Sequence, residues 1–226
     1  MNMNTQPSTR IFAGLLLFFF SLALPASAHV AVQELDNLNK TDAAALYLVL
    51  GFKHILPLGL DHIFFVMSLF LLSPTLKPIV LQSTAFTVAH SVTLCLAAYN
   101  VINPPARIIE PLIALSIVYV ALENIYSPRL KASRLGIVFA FGLVHGLGFA
   151  GALAEMGLPK NAYFTSLIMF NVGVELGQLT IILSAYFLLA KWFSQKPWYR
   201  RNIVVPLSFF IAVVAAIWTV QRIFFV

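Results

Sequence analysis

An all-α integral membrane protein with six spanning helices is the fold class this sequence predicts, and three observations predict it. Hydrophobic residues make up 60% of the 226 residues and charged residues only 10%, whereas soluble domains run nearer ~25% charged. The mean hydropathy is +0.90. The apolar residues gather into six stretches, most of them close to the ~20 residues that a spanning helix requires. The one cysteine, Cys95, excludes a disulfide framework or a thiolate metal cluster within a single chain.

Residues 1–28 read as a cleaved signal peptide. Arg10 closes a polar n-region, Ile11 to Leu24 form a short h-region, and Pro25-Ala26-Ser27-Ala28 offers the cleavage site. Cleavage would make His29 the first residue, and a terminal amine beside an imidazole can chelate a metal, copper especially. An ordinary first residue is the simpler reading of it. Residues 29–226 then form one membrane domain, with spans near 58–73, 79–102, 108–126, 135–156, 163–190 and 203–225. The first span is short. Residues 43–55 before it read as an apolar half-helix that runs into a break at Pro57 and Gly59. Pro74, Pro78, Pro104, Pro105, Pro128, Pro159 and Pro197 mark the joints between segments.

A cleaved signal places the mature N-terminus outside, and six spans return the C-terminus to the same side. Lys77, the Arg129–Lys131–Arg134 cluster and the cluster of Lys191, Lys196, Arg200 and Arg201 then fall inside. Lys40, Lys53, Arg107, Lys160 and Arg222 fall outside. The densest basic clusters are therefore both internal, as orientation in a bacterial inner membrane demands. The net charge of +6 is an orientation signal and calls for no nucleic-acid partner.

Polar residues inside apolar spans are costly and mark function or packing. The first such stretch is His54-Ile-Leu-Pro-Leu-Gly-Leu-Asp61-His62, where Asp61 either caps the following helix or joins the two imidazoles in a site. Thr84, Thr87, His90 and Ser91 form a polar stripe at helical spacing in the second span. In the third, Glu110 suits a helix start, and Glu123 lies close enough to the inner arginines for an interfacial ion pair. The fourth span sets His145 within a GxxxG pair, Gly142 and Gly146, which admits a neighbouring helix at close range. The fifth aligns Asn171, Glu175 and Gln178 on one face beside a second GxxxG, Gly173 and Gly177. Both glycine faces also offer contacts for a second copy of the chain. Glu175 is too deep to snorkel, so it must be protonated, paired or bound to a cation.

His54, Asp61, His62, His90, His145 and Glu175 are thus the candidate metal ligands, with Asn171, Gln178 and Glu123 as supporting polar groups. Imidazole and carboxylate without thiolate suit nickel, cobalt and zinc.

The residues gathered here resemble those of the HupE/UreJ family, small membrane proteins linked to nickel enzymes. The likeness runs over essentially the whole mature chain. It is carried by His54 with Gly59-Leu60-Asp61-His62, by Phe86-Thr87-Val88-Ala89-His90-Ser91, by Phe141 to Ala150 and by Asn171 to Leu179. The family places five residues between the first histidine and the aspartate, and this chain has six. In the fourth span only Val144-His145-Gly146 matches, with Phe141 and Gly148 where the family has a second histidine and a glutamate. The pattern is that of a divergent branch. The resemblance implies a permease for Ni2+ or Co2+, carried as cargo with no permanently bound cofactor, and not an enzyme. Zn2+ and Cu2+ are the competing ions.

Two other readings use the same residues. His90 and His145 could ligate a haem between two helices. His145-Gly-Leu-Gly-Phe-Ala-Gly could belong to an intramembrane hydrolase, although the chain lacks a Gly-x-Ser-Gly turn and Ser116 and Ser166 stand outside such a context.

Overall fold

A computed structural model describes residues 38–127 and 130–225. The expected signal peptide and His29 lie outside the described residues. Among those described there are helices and no strands: α1 (Lys40–Ile55), α2 (Leu60–Leu72), α3 (Leu76–Ala98), α4 (Ala106–Tyr126), α5 (Arg134–Met156) and α6 (Tyr163–Ala185). A π-helical turn, Tyr186–Ala190, continues α6 into the short α7 (Lys191–Phe193). A second π turn, Arg200–Val204, leads into α8 (Val205–Phe224). Five helical segments are long and apolar enough to cross a membrane, or six if the α1–α2 pair, bent by 67° at its break, is counted as one span.

The first half-helix is specified locally. Asn39 caps α1 by accepting the Asp42 N–H at 2.9 Å, and Lys53 and His54 fall in the last turn. Ala43, Tyr47, Gly51 and Ile55 recur every four residues and are buried as one stripe. That stripe packs on α6, and the Tyr47 hydroxyl donates to the Gly157 carbonyl at 2.5 Å. The helix stops because Pro57 has no N–H to give. The freed groups are still satisfied: Leu56 N–H reaches Phe52 O at 2.8 Å, Leu58 N–H reaches Lys53 O at 3.3 Å and Gly59 N–H reaches Ile55 O at 3.2 Å. A break inside an apolar bundle is tolerable on those terms. Position 59 must be glycine, since a Cβ would stand 2.1 Å from the His54 carbonyl oxygen.

Beyond Asp61 and His62 in its first turn, α2 is apolar but for Ser68, and nine residues from His62 to Leu71 are buried. A helix with no polar face belongs in the middle. It does sit there, against α4, α6 and α8, while α1–α6, α3–α5 and α4–α8 form the three most extensive helix pairs around it. Glycine sets two of those pairs. A Cβ on Gly51 or Gly173 would fall about 2 Å from the backbone oxygen of Phe170 or Leu48, at 1.9 and 2.1 Å. On α5, Gly142 and Gly146 bring α3 so close that a Cβ would meet Phe86 O at 2.5 Å and His90 O at 2.3 Å. Both GxxxG faces are therefore filled within the chain. The expectation that they join two copies is corrected: helices of the same chain already occupy them.

The end of the bundle opposite the α1–α2 break is tied by Arg134, which is 1% exposed. Its Nη1–H donates to Glu123 Oε2 at 2.8 Å and its Nε–H to Gln82 Oε1 at 3.0 Å, linking α5 to α4 and α3. Asn124 Nδ2–H donates to Ser68 O at 2.7 Å and to Ser208 Oγ at 3.2 Å, adding α2 and α8. Arg200 donates to the carbonyls of Asn124 and Ile125, both at 3.0 Å, closing the C-terminus of α4. Two arginines that sequence counts as loop charges are thus structural ties.

Truncating Arg134 would leave Glu123 without its buried partner, a change that costs about 3–5 kcal/mol. Arg134→Ala should accordingly lower the unfolding midpoint in detergent sharply, whereas Arg201→Ala, at an exposed position, should not move it. Gly146→Ala should also destabilise, because the methyl group collides with backbone and Thr93 Oγ1 at 2.3 Å. An unchanged midpoint would mean that α3 and α5 are not held at this distance.

Candidate metal centre

The break places His54 at the end of one helix and His62 near the start of the next, so two imidazoles eight residues apart come together. Their ring centroids lie 4.6 Å apart. His90 on α3 stands 5.8 Å from His62 and 6.1 Å from His54, and His145 on α5 stands 5.1 Å from His62. Four helices thus contribute one imidazole each. His62, His90 and His145 are 6%, 0% and 1% exposed.

Phenylalanines wall the cluster. Phe149 lies 3.9 Å from His54, and Phe65 and Phe86 lie 5.1 and 5.0 Å from His145. Such walls offer no hydrogen bonds. Five ring nitrogens are buried without a partner: His54 Nε2, His62 Nε2, both nitrogens of His90 and His145 Nδ1. Each unsatisfied polar atom costs about 1–3 kcal/mol. A neutral imidazole carries one lone pair, which a metal ion would satisfy.

The His54–His62 and His62–His145 spacings, 4.6 and 5.1 Å, fit a shared ion, and those of His90, 5.8 and 6.1 Å, are longer. Two imidazoles bound to one ion through bonds of ~2.1 Å have centroids roughly 4.5–5.5 Å apart. Among the described residues, however, no three His, Cys, Asp or Glu side chains already converge their donor atoms on one point. Coordination by three of them requires a rearrangement that brings their nitrogens together.

One ring is already oriented. Ser116 Oγ–H donates to Ile113 O at 2.7 Å, so the 2.9 Å contact with His145 is made by Nε2–H donating to Ser116 Oγ. That fixes the proton on Nε2 and leaves the Nδ1 lone pair toward the cluster, as a second partner does for a metal-binding histidine. The same direction speaks against the hydrolase reading, in which the imidazole must accept the serine proton. The haem reading also finds no room. Phe86 lies 6.1 Å from His90 and 5.0 Å from His145, and His62 lies 5.8 and 5.1 Å from the same two, so side chains fill the ground between them.

A cavity of about 430 Å³ leads to this cluster, lined by His54, His62 and His145, with Lys53, Asp61 and Glu110 among its other residues. Asp61 does not share a face with the histidines as a straight helix would have it. It turns to Arg222, whose Nη2 donates to Oδ1 at 3.1 Å and Oδ2 at 2.9 Å.

Glu175 is also placed apart. Thr84 Oγ1–H donates to its Oε1 at 2.7 Å and Thr87 Oγ1–H to its Oε2, and Ser83 Oγ–H donates to Gln178 Oε1 at 2.5 Å. Thr87 lies about one turn before His90 on α3, so the carboxylate stands roughly one turn from the imidazoles. Of the supporting groups, Gln178 belongs to this hydroxyl cluster, while Asn171 Nδ2–H returns to Leu167 O at 2.8 Å on its own helix. Glu123 is spent on Arg134, at the other end of the bundle.

Sequence reading missed Ser116 as a partner of His145, the phenylalanine wall, and Arg222 with Glu110. The stripe of Thr84, Thr87 and His90 was the usable signal for α3, and no local pattern announces the contacts of Arg222.

The fold and the cluster define a polytopic helical membrane protein with histidines drawn from four helices beneath an acid-bearing cavity. The profile of the HupE / UreJ protein family matches residues 28–222, nearly the full length, and the chain belongs to that family. No curated protein and no solved structure matches it.

If Ser116 holds His145 in its binding tautomer, Ser116→Ala should weaken Ni2+ affinity about tenfold, the lower end of what loss of an outer partner costs. Equilibrium dialysis of the purified chain reads this, and an unchanged affinity would remove Ser116 from that role.

Proposed function

We propose that this protein is a permease for a divalent transition-metal ion, nickel or cobalt, in the bacterial inner membrane. The observation that carries the reading is the set of five buried, unpartnered imidazole nitrogens from four helices, with three of the histidines, His54, His62 and His145, lining a cavity that also bears carboxylates. Membership of the HupE/UreJ family supports it, as does the preference of imidazole sites without thiolate for nickel, cobalt and zinc.

In this reading the cavity opens to the outside, the side to which sequence assigns both termini. The ion sheds water onto His62, with His54 and His145 as neighbours, and passes to His90. Glu175 with Thr84 and Thr87 stands one turn further along α3, toward its start, as the oxygen-lined step that follows. The histidines bind in their neutral form and protons compete for the same lone pairs, so affinity falls as pH falls. No phosphate-binding Gly-x-x-x-x-Gly-Lys loop occurs in the sequence, which favours passive or gradient-driven movement.

Uptake of radioactive Ni2+ and Co2+ into cells or liposomes tests the proposal. His62→Ala, at the centre of the cluster, should reduce uptake at least about tenfold at equal protein level. Parental uptake in the mutant would overturn the reading. Stoichiometric binding without uptake would replace it with a metal-binding protein.

A further inference from the structure

The two acidic side chains on the cavity wall share one cation. Arg222, near the end of α8, donates from Nη2 to both carboxylate oxygens of Asp61 and from Nη1 to the Glu110 carbonyl at 3.2 Å. The same Nη1 lies 3.5 Å from Glu110 Oε2. Three helices, α2, α4 and α8, meet at this guanidinium. The exposures are 19% for Arg222, 26% for Asp61 and 31% for Glu110.

A comparison within the chain shows what kind of pair this is. The Arg134–Glu123 bridge is 1% and 11% exposed, and further bonds lock that guanidinium. Arg222 is wetter, and its other neighbour is the ring of Trp218, 5.8 Å away. Partly solvated pairs hold weakly and exchange partners readily. Beyond Asp61, in the same cavity, His62 Nε2 and His145 Nδ1 are buried and unpartnered. The carboxylates therefore lie beside lone pairs that would accept a metal ion.

We propose that Asp61 and Glu110 form a first docking site for the hydrated divalent ion, and that Arg222 is its tethered competitor. This rests on the permease reading above. Two carboxylates and a backbone carbonyl are hard oxygen donors, suited to a cation that still carries water. The guanidinium and a divalent ion need the same oxygen atoms, so one must leave for the other to dock. Arg222 swings off on its flexible stem, the ion takes the oxygens, and the imidazoles beyond them then replace its water. When the ion has moved on, Arg222 returns. The arginine thus offsets one of the two negative charges between ions and selects for a charge high enough to displace it.

The test is Ni2+ binding to the purified full-length chain, measured by calorimetry in detergent micelles. A competitor that occupies the site in nine molecules of ten lowers apparent affinity about tenfold, so Arg222→Gln should bind about tenfold more tightly. Adding Asp61→Asn and Glu110→Gln to Arg222→Gln should abolish the gain. Glu110→Gln alone, which leaves Arg222 on Asp61, should weaken binding about threefold and serves if the arginine variant does not fold. Affinity within twofold of the parent in Arg222→Gln, a gain that survives loss of both carboxylates, or an unmoved Glu110→Gln would each overturn the proposal. If the parent binds and His62→Ala does not, those failures leave the permease reading standing. A parent that binds no ion overturns both.

Discussion

In an unbroken helix, His54 and His62 would lie about 12 Å apart along the axis. The 67° bend at Pro57–Gly59 replaces that separation with rings 4.6 Å apart. Everything at the site depends on this break. It ends α1 at the depth of the cluster, starts α2 alongside it, and turns Asp61 out toward the cavity while His62 points in. A proline removes the N–H that would have continued the helix, and a glycine permits the His54 carbonyl to come close enough to obstruct any side chain there. The backbone groups so released find partners within the turn, and the kink can therefore exist among apolar helices.

The other two imidazoles arrive by a different route, the close approach of α3 and α5. Gly142 and Gly146 lie against the backbone of α3 at Phe86 and His90. At ordinary interhelical distance the rings of His90 and His145 would not both reach His62. Phenylalanine then fills the surrounding space, and because it provides no hydrogen bonds it leaves the imidazole nitrogens unsatisfied. A serine at this wall, Ser116, is the exception, and it orients one ring.

The two ends of the bundle use arginine in opposite ways. Arg134 is buried and multiply bonded among Glu123, Gln82 and the α2 backbone, so it fixes the helices. Arg222 is partly solvated and meets two carboxylates beside an open cavity. The chemistry of the pairs is the same, and the difference lies in burial, which decides how readily water or another cation can compete.

Much of the fold was legible from local pattern. Composition gave the membrane class, segment lengths gave the helices, and Pro57 with Gly59 gave the break, because each follows from chain geometry or transfer cost alone. The histidines were also legible, since an unpartnered imidazole in an apolar stretch is expensive wherever the chain goes. What the sequence could not assign was which polar group meets which. Asp61 shares a cavity with His54, His62 and His145 but pairs with Arg222, 161 positions away, and Glu175 bonds to Thr84 and Thr87. Glu123 was legible both as support for the site and as a partner of the inner arginines, and packing gave it to Arg134; the glycine pairs announced close helix contacts without saying that α1 and α3 of the same chain make them. Those partners are set by how helices pack in three dimensions, and hydrogen bonds and ion pairs between helices leave no periodic trace along a single chain.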